Sequence, residues 1–118
     1  MHFKLIITFT TNENTEKVLE ASRKSGATGA TTISSARGEG LEKHTTFFGL
    51  ELESPTEIIL SLVEEHLARE ALENINASVG FEEDIGSGMS IIIDVEDAIG
   101  MKKHIQSLKE NKNFKEKI

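Results

Sequence analysis

Short apolar runs alternate along this chain with stretches whose apolar residues fall at helical spacing. FKLIITF, residues 3–9, is apolar and β-branched and predicts a strand. NTEKVLEASRKSG then predicts a short helix, with Asn14 at the cap, Val18, Leu19 and Ala21 inward, Arg23 and Lys24 in the last turn, and Gly26 past the end. Residues 27–37, rich in Thr, Ile and Ser, predict a second strand, and TEIILSLV at 56–63 a third. Over 64–80, Leu67, Ala68, Ala71, Leu72, Ile75 and Val79 form one helical stripe. Glu64 and Glu65 suit that helix's first turn, and Gly80 suits its end. MSIIIDVED at 89–97 predicts the last strand, entered through the loop FEEDIGSG. Between 38 and 55 the middle, TTFFGLELE, reads as an extended arm or strand that Pro55 closes.

The predicted order is strand, helix, strand, strand, helix, strand. Right-handed crossovers place both helices on the same side of one sheet. Yet LII, EIIL and SIII are continuous apolar runs, the pattern of strands buried on both faces. The second face needs a cover that the two helices do not supply, so an oligomer is expected.

A chain of 118 residues is one domain on ordinary priors, and it is long enough to bury a real core. The domain is placed at residues 1–100, with a basic, solvated C-terminal tail at 101–118. No cysteine is present, which rules out disulfides and thiolate metal sites. No apolar run approaches the roughly 20 residues that span a bilayer, and the N-terminus does not read as a signal peptide. A soluble, cytoplasmic protein that is not inserted in a membrane is expected. The net charge of −7 argues against nucleic-acid binding, whose affinity comes largely from cationic side chains on phosphates.

Glycines gather at positions 26, 29, 38 and 40, with β-branched residues between them rather than linker filler. GATGATT followed by ARGEG, the strand–helix pair from Glu57 to Val79, and DIGSGMSIIIDVEDAIG together resemble the PII nitrogen-regulatory signalling family. The resemblance runs from about residue 3 to residue 103. It implies an α+β, ferredoxin-like βαββαβ sandwich, with an antiparallel four-stranded sheet and two helices on one face. It also implies a homotrimer that binds adenine nucleotides in the clefts between subunits and regulates a partner, such as a membrane transporter or metabolic enzyme, through the loop after strand 2. Residues 26–31 would form the turn near the adenine, with Thr31 in contact. Arg37, Gly38, Glu39 and Gly40 would form the root of the projecting loop, while Gly86, Ser87, Gly88 and Met89 would wrap the phosphates. Gly26 needs no ligand to explain it, since a helix cap suffices.

Departures from the family pattern shape the ligand expected. Met89 stands where the family has a lysine; Gly100 and Lys102 stand at its two arginines. Leu41 and Glu42 replace the basic residue and the glutamine associated with 2-oxoglutarate, and Glu82, Glu83 and Asp84 add negative charge beside the phosphate loop. Each charge-assisted contact is worth about 1.5–3 kcal/mol, so a less charged nucleotide, ADP, AMP or a cyclic form, is expected over ATP. Arg37, Lys43, Lys102 and Lys103 remain as cationic partners.

The projecting loop is shorter than the family norm and the chain has no tyrosine, which excludes nucleotidylation of one. Lys43, His44, Phe47 and Phe48 are the side chains there suited to a partner, although the phenylalanines also suit the core of a β-arm. The segment from Gly38 to Ser54 is expected to be mobile when free and ordered on binding. No catalytic group stands out, and no resident cofactor or metal is expected. A divalent-cation sensor using Glu82, Glu83 and Asp84 is the rival reading, and a small ferredoxin-like hydrolase a weaker one. His66 and Glu70 lie four apart on a helix, but on its polar stripe.

Overall fold

The computed structural model describes residues 2–36, 56–84 and 86–117. Its elements are β1 (Phe3–Thr11), α1 (Thr15–Lys24), β2 (Ala30–Ala36), β3 (Thr56–Glu64), α2 (Ala68–Val79), β4 (Gly88–Asp94) and α3 (Lys102–Lys117). The strands form one sheet in the order β2-β3-β1-β4, and every neighbouring pair is antiparallel. This is the expected α+β, ferredoxin-like βαββαβ arrangement.

Helix ends follow their sequence signals in part. Past α1, the Gly26 amide donates to the Arg23 carbonyl (3.1 Å) and the Ala27 amide to the Ser22 carbonyl (2.9 Å). That pair of bonds, with φ of 98° at Gly26, is a Schellman cap. Gly80 ends α2 in the left-handed region and donates to the Asn76 carbonyl. Asn14 precedes α1 but makes no side-chain cap bond; its amide is engaged elsewhere. Glu64 is the last residue of β3 rather than part of a helix, and a 3-10 turn over Glu65–Leu67 leads into α2. The last strand stops at Asp94, short of the expected 97. Residues at the basic C-terminal end, read from sequence as a solvated tail, form α3. Its first turn is tied back to the domain where His104 Nε2 meets Thr28 Oγ1 at 2.7 Å and its ring lies 5.9 Å from that of Phe3.

Alternation along each strand separates two unlike faces. Toward the helices β1 presents Ile6, Thr8 and Thr10, all with no exposed surface, and β3 presents Ile59, Ser61 and Val63. Ile6, Ile59 and Val63 join Val18, Ala21, Ala68, Ala71 and Ile75 in the core. The hydroxyls there are paired: Thr8 with Ser90 at 2.7 Å and Ser61 with Ser22 at 3.3 Å.

The opposite face is more apolar than the one the helices cover. Leu5, Ile7 and Phe9 of β1 stand across from Leu62, Leu60 and Ile58 of β3 and from Ile93, Ile91 and Met89 of β4. Ile33 extends this surface onto β2, and it and Ile93 are 46% and 41% exposed. No described element lies over it.

Burying one such side chain is worth about 1.5–3 kcal/mol, so this face favours a partner surface of its own kind. If copies of the chain join through this face, Leu60→Asp, placed at its centre and outside the helix-side core, should leave the fold intact and separate them. Light scattering should then move from a multiple of 13.0 kDa toward the single-chain mass. An unchanged mass would show that this face is not what joins the chains.

Candidate functional site

The loop Gly86–Met89 enters β4 under tight steric control. Gly86 and Gly88 have φ of 91° and 132°, a region that side-chain-bearing residues avoid. A Cβ on Gly88 would sit 2.0 Å from the Phe9 carbonyl oxygen, so only glycine lets the loop lie against β1. Ser87 is buried; its hydroxyl donates to the Asp84 carbonyl at 2.6 Å, and its own carbonyl accepts from Thr10 Oγ1 at 2.8 Å. The loop's shape is therefore set by the protein.

Around this loop the charge is negative. Glu82, Glu83 and Asp84 are all exposed just before it. Met89 stands across from Phe9 and lengthens the apolar face instead of offering a cation. A cavity of ≈ 360 Å³ behind the loop, between α2 and β4, is lined by Arg69, Leu72, Asn76, Phe81, Glu82 and Gly88 among others. Arg69, the arginine that lines it, is exposed and pairs with Glu73 at 3.1 Å.

Of the other sequence-predicted site residues, Thr31 and Lys102 are described, and they are not gathered around the loop within one chain. Thr31 is exposed on β2, the far edge of the sheet, opposite Leu60. Three strand intervals of about 4.8 Å set the two edges roughly 14 Å apart. Ala36, the last described residue before the loop root, pairs with Thr56, which pairs with Thr11; Gly88 pairs with Thr10. The ends of β2 and the start of β4 thus share one end of the sheet. Arg37, Gly38, Glu39, Gly40, Lys43, His44, Phe47 and Phe48 lie outside the described residues.

Lys102 opens α3, beyond the far end of β4, about 20 Å along that strand from Gly88. Nearby at that end, Lys4 bonds Asp94 and lies 3.7 Å from Glu65. The hydrogen bond to Asp94, helped by the charges of Asp94 and Glu65, holds the Lys4 ammonium above its ordinary pKa against an opposing cost of desolvation. Among the described residues no group of three His, Asp or Glu side chains comes together as metal ligands. Sequence reasoning missed the role of Thr10 and Asn14 behind the loop: Thr10 lay just past the predicted strand 3–9, and Asn14 was read as a helix cap.

The family model for nitrogen regulatory protein P-II matches residues 3–104. The chain belongs to this family. Solved structures agree with P-II membership in fold. CPII from Thiomonas intermedia K12, bound to ADP, AMP and acetate, is 21% identical and superposes with a TM-score of 0.65 over 86% of this chain and 93% of its own. The same protein bound to ADP and bicarbonate gives 0.61 at 21% identity, over 80% of this chain and 87% of its own. A PII-like signalling protein from Thermus thermophilus gives 0.57 at 19% identity over 80% and 87%. No curated protein sequence matches the chain. Among the described residues of this P-II protein, no helix is long and apolar enough to cross a membrane.

Two glycine variants separate strain from collision. Gly88→Ala meets both the positive φ and the Phe9 carbonyl, and should cost roughly 2 kcal/mol or more. Gly100→Ala shares the positive φ, 96°, but has nothing within 4 Å, and should cost about 1 kcal/mol. Urea unfolding midpoints measure both, and equal losses would mean that the close approach of the loop to β1 is not what requires Gly88.

Proposed function

We propose that this P-II protein is a cytoplasmic, non-catalytic regulator that senses ADP or AMP between the subunits of a homotrimer. The observation that carries the reading is the Gly86–Met89 loop, locked against Phe9 in a backbone shape only glycine allows. Loops with positive-φ glycines bring backbone amides close to anions. Family membership supports the ligand class, as does CPII, a protein of the same fold that binds ADP and AMP.

Division of the site supports the assembly. Gly86, Ser87, Gly88 and Met89 lie at one end of β4, Lys102 at the other, and Thr31 on the opposite edge. One chain does not gather them, whereas neighbours packed through the uncovered sheet face could bring the start of one β4 to the α3 of another. Arg37, Gly38, Glu39 and Gly40 would complete the cleft. The segment 38–54 is the proposed output, with Lys43, His44, Phe47 and Phe48 as its contacts to a regulated transporter or enzyme.

Charge sets the choice of nucleotide. With Met89 and Gly100 at cationic positions of the family, and with Glu82, Glu83 and Asp84 beside the loop, a triphosphate gains the least. Calorimetry should give ADP or AMP several-fold tighter binding than ATP. Met89→Lys should improve ATP binding about tenfold or more, the value of one restored charge-assisted contact. ATP binding tighter than ADP in the wild type would overturn this order.

Hydrogen exchange checks the output element. Protection across 40–50 should rise when ADP is added. Slow exchange throughout that segment, unchanged by any adenine nucleotide, would make it structural rather than regulatory.

A further inference from the structure

Asn14, Thr10 and Ser87 form a connected relay behind the glycine loop. Thr10 Oγ1 donates its only proton to the Ser87 carbonyl at 2.8 Å, and the same oxygen accepts from Asn14 Nδ2 at 3.3 Å. Asn14 Nδ2 also reaches Thr11 Oγ1 at 3.3 Å. Thr10 has no exposed surface and Ser87 only 5%, so water does not replace these bonds readily. Asn14 closes the 3-10 turn Asn12–Asn14, and its neighbour Thr15 donates to Glu57, one residue beyond Thr56. The turn between β1 and α1 therefore grips the glycine loop on one side and the start of β3 on the other.

We infer that Thr10 and Asn14 are positioning residues for the glycine loop, fixing its backbone in the shape that receives a phosphate group. The inference rests on the nucleotide reading for its purpose, but not for its geometry. A loop already ordered before binding spends less of the ligand's contact energy on ordering, which raises affinity without any added contact. Asn14's amide is engaged with Thr10 and Thr11 instead of capping α1, which fits a role in the loop rather than in the helix.

Thr8 supplies the control. It lies two residues earlier on the same strand and face, is equally buried, and bonds Ser90 within β4 rather than the loop. Thr8→Val and Thr10→Val each delete one buried hydroxyl at nearly constant shape. Amide exchange at Ser87, Gly88 and Met89, corrected for each variant's global stability, should quicken about fivefold or more in Thr10→Val and stay unchanged in Thr8→Val. ADP affinity, measured by calorimetry on the assembled protein, should fall by a similar factor in Thr10→Val only. Thr10→Ser should restore both, and Asn14→Ala should show a smaller loss of about twofold in each. Equal loop exchange in the two valine variants overturns the inference, as does a loosened loop with unchanged ADP affinity. If the wild type binds neither ADP nor AMP, the nucleotide reading falls, and the exchange comparison alone decides whether Thr10 and Asn14 position the loop.

Discussion

Removal of the Leu5–Ile7–Phe9 face from water is the requirement on which the rest of the molecule turns. In β1 and β3 the alternation mixes Thr8, Thr10 and Ser61 with Ile6, Ile59 and Val63 on the helix side, and places only apolar residues, Leu5, Ile7, Phe9, Ile58, Leu60 and Leu62, on the other. A two-layer domain ordinarily puts its most apolar sheet face against its helices. Here the helices rest on a mixed layer in which hydroxyls pair with one another, and α1 and α2 meet it with small residues such as Ala21, Ala68 and Ala71. The described elements thus cover one face of the sheet and leave the other, more apolar one open.

That division bears on the site. Because Met89 follows Gly88 at the corner of the sheet, the last residue of the glycine loop falls on the uncovered face, across from Phe9. An apolar side chain there extends the open apolar face and offers no cation to the loop. Glu82, Glu83 and Asp84 add negative charge beside the loop, so an anion bound there, as proposed, would be held by the loop's backbone rather than by a charge of its own.

The strands, both crossover helices and their order were legible because their signals are local: apolar runs, a helical stripe from Leu67 to Val79, and glycines at 26 and 80. The uncovered face was legible as an excess of apolar residues, though not which face it was, since that depends on register. The C-terminal helix was hidden because Lys, Glu and Asn dominate it, and its anchor, His104 on Thr28, joins residues far apart in sequence. The glycine loop was visible as a pattern, whereas its supports were not. Thr10 and Asn14 lie 77 and 73 positions from Ser87, a separation at which hydroxyls and amides carry no periodic signal. The root of the projecting loop and its phenylalanines fall outside the described residues and stand as sequence expectations.

The length of β4 has one more consequence. Gly88 and Asp94 bracket the strand, and the basic start of α3 lies past the distant end. If, as proposed, the ligand's cleft draws its glycine loop from one chain and its lysine from the next, it exists only in the assembled particle, and occupancy and assembly are thermodynamically linked. Dilution would then weaken the ligand's hold, and ligand would in turn hold the particle together at concentrations where it would otherwise separate. Such a protein would read its own abundance together with that of its ligand.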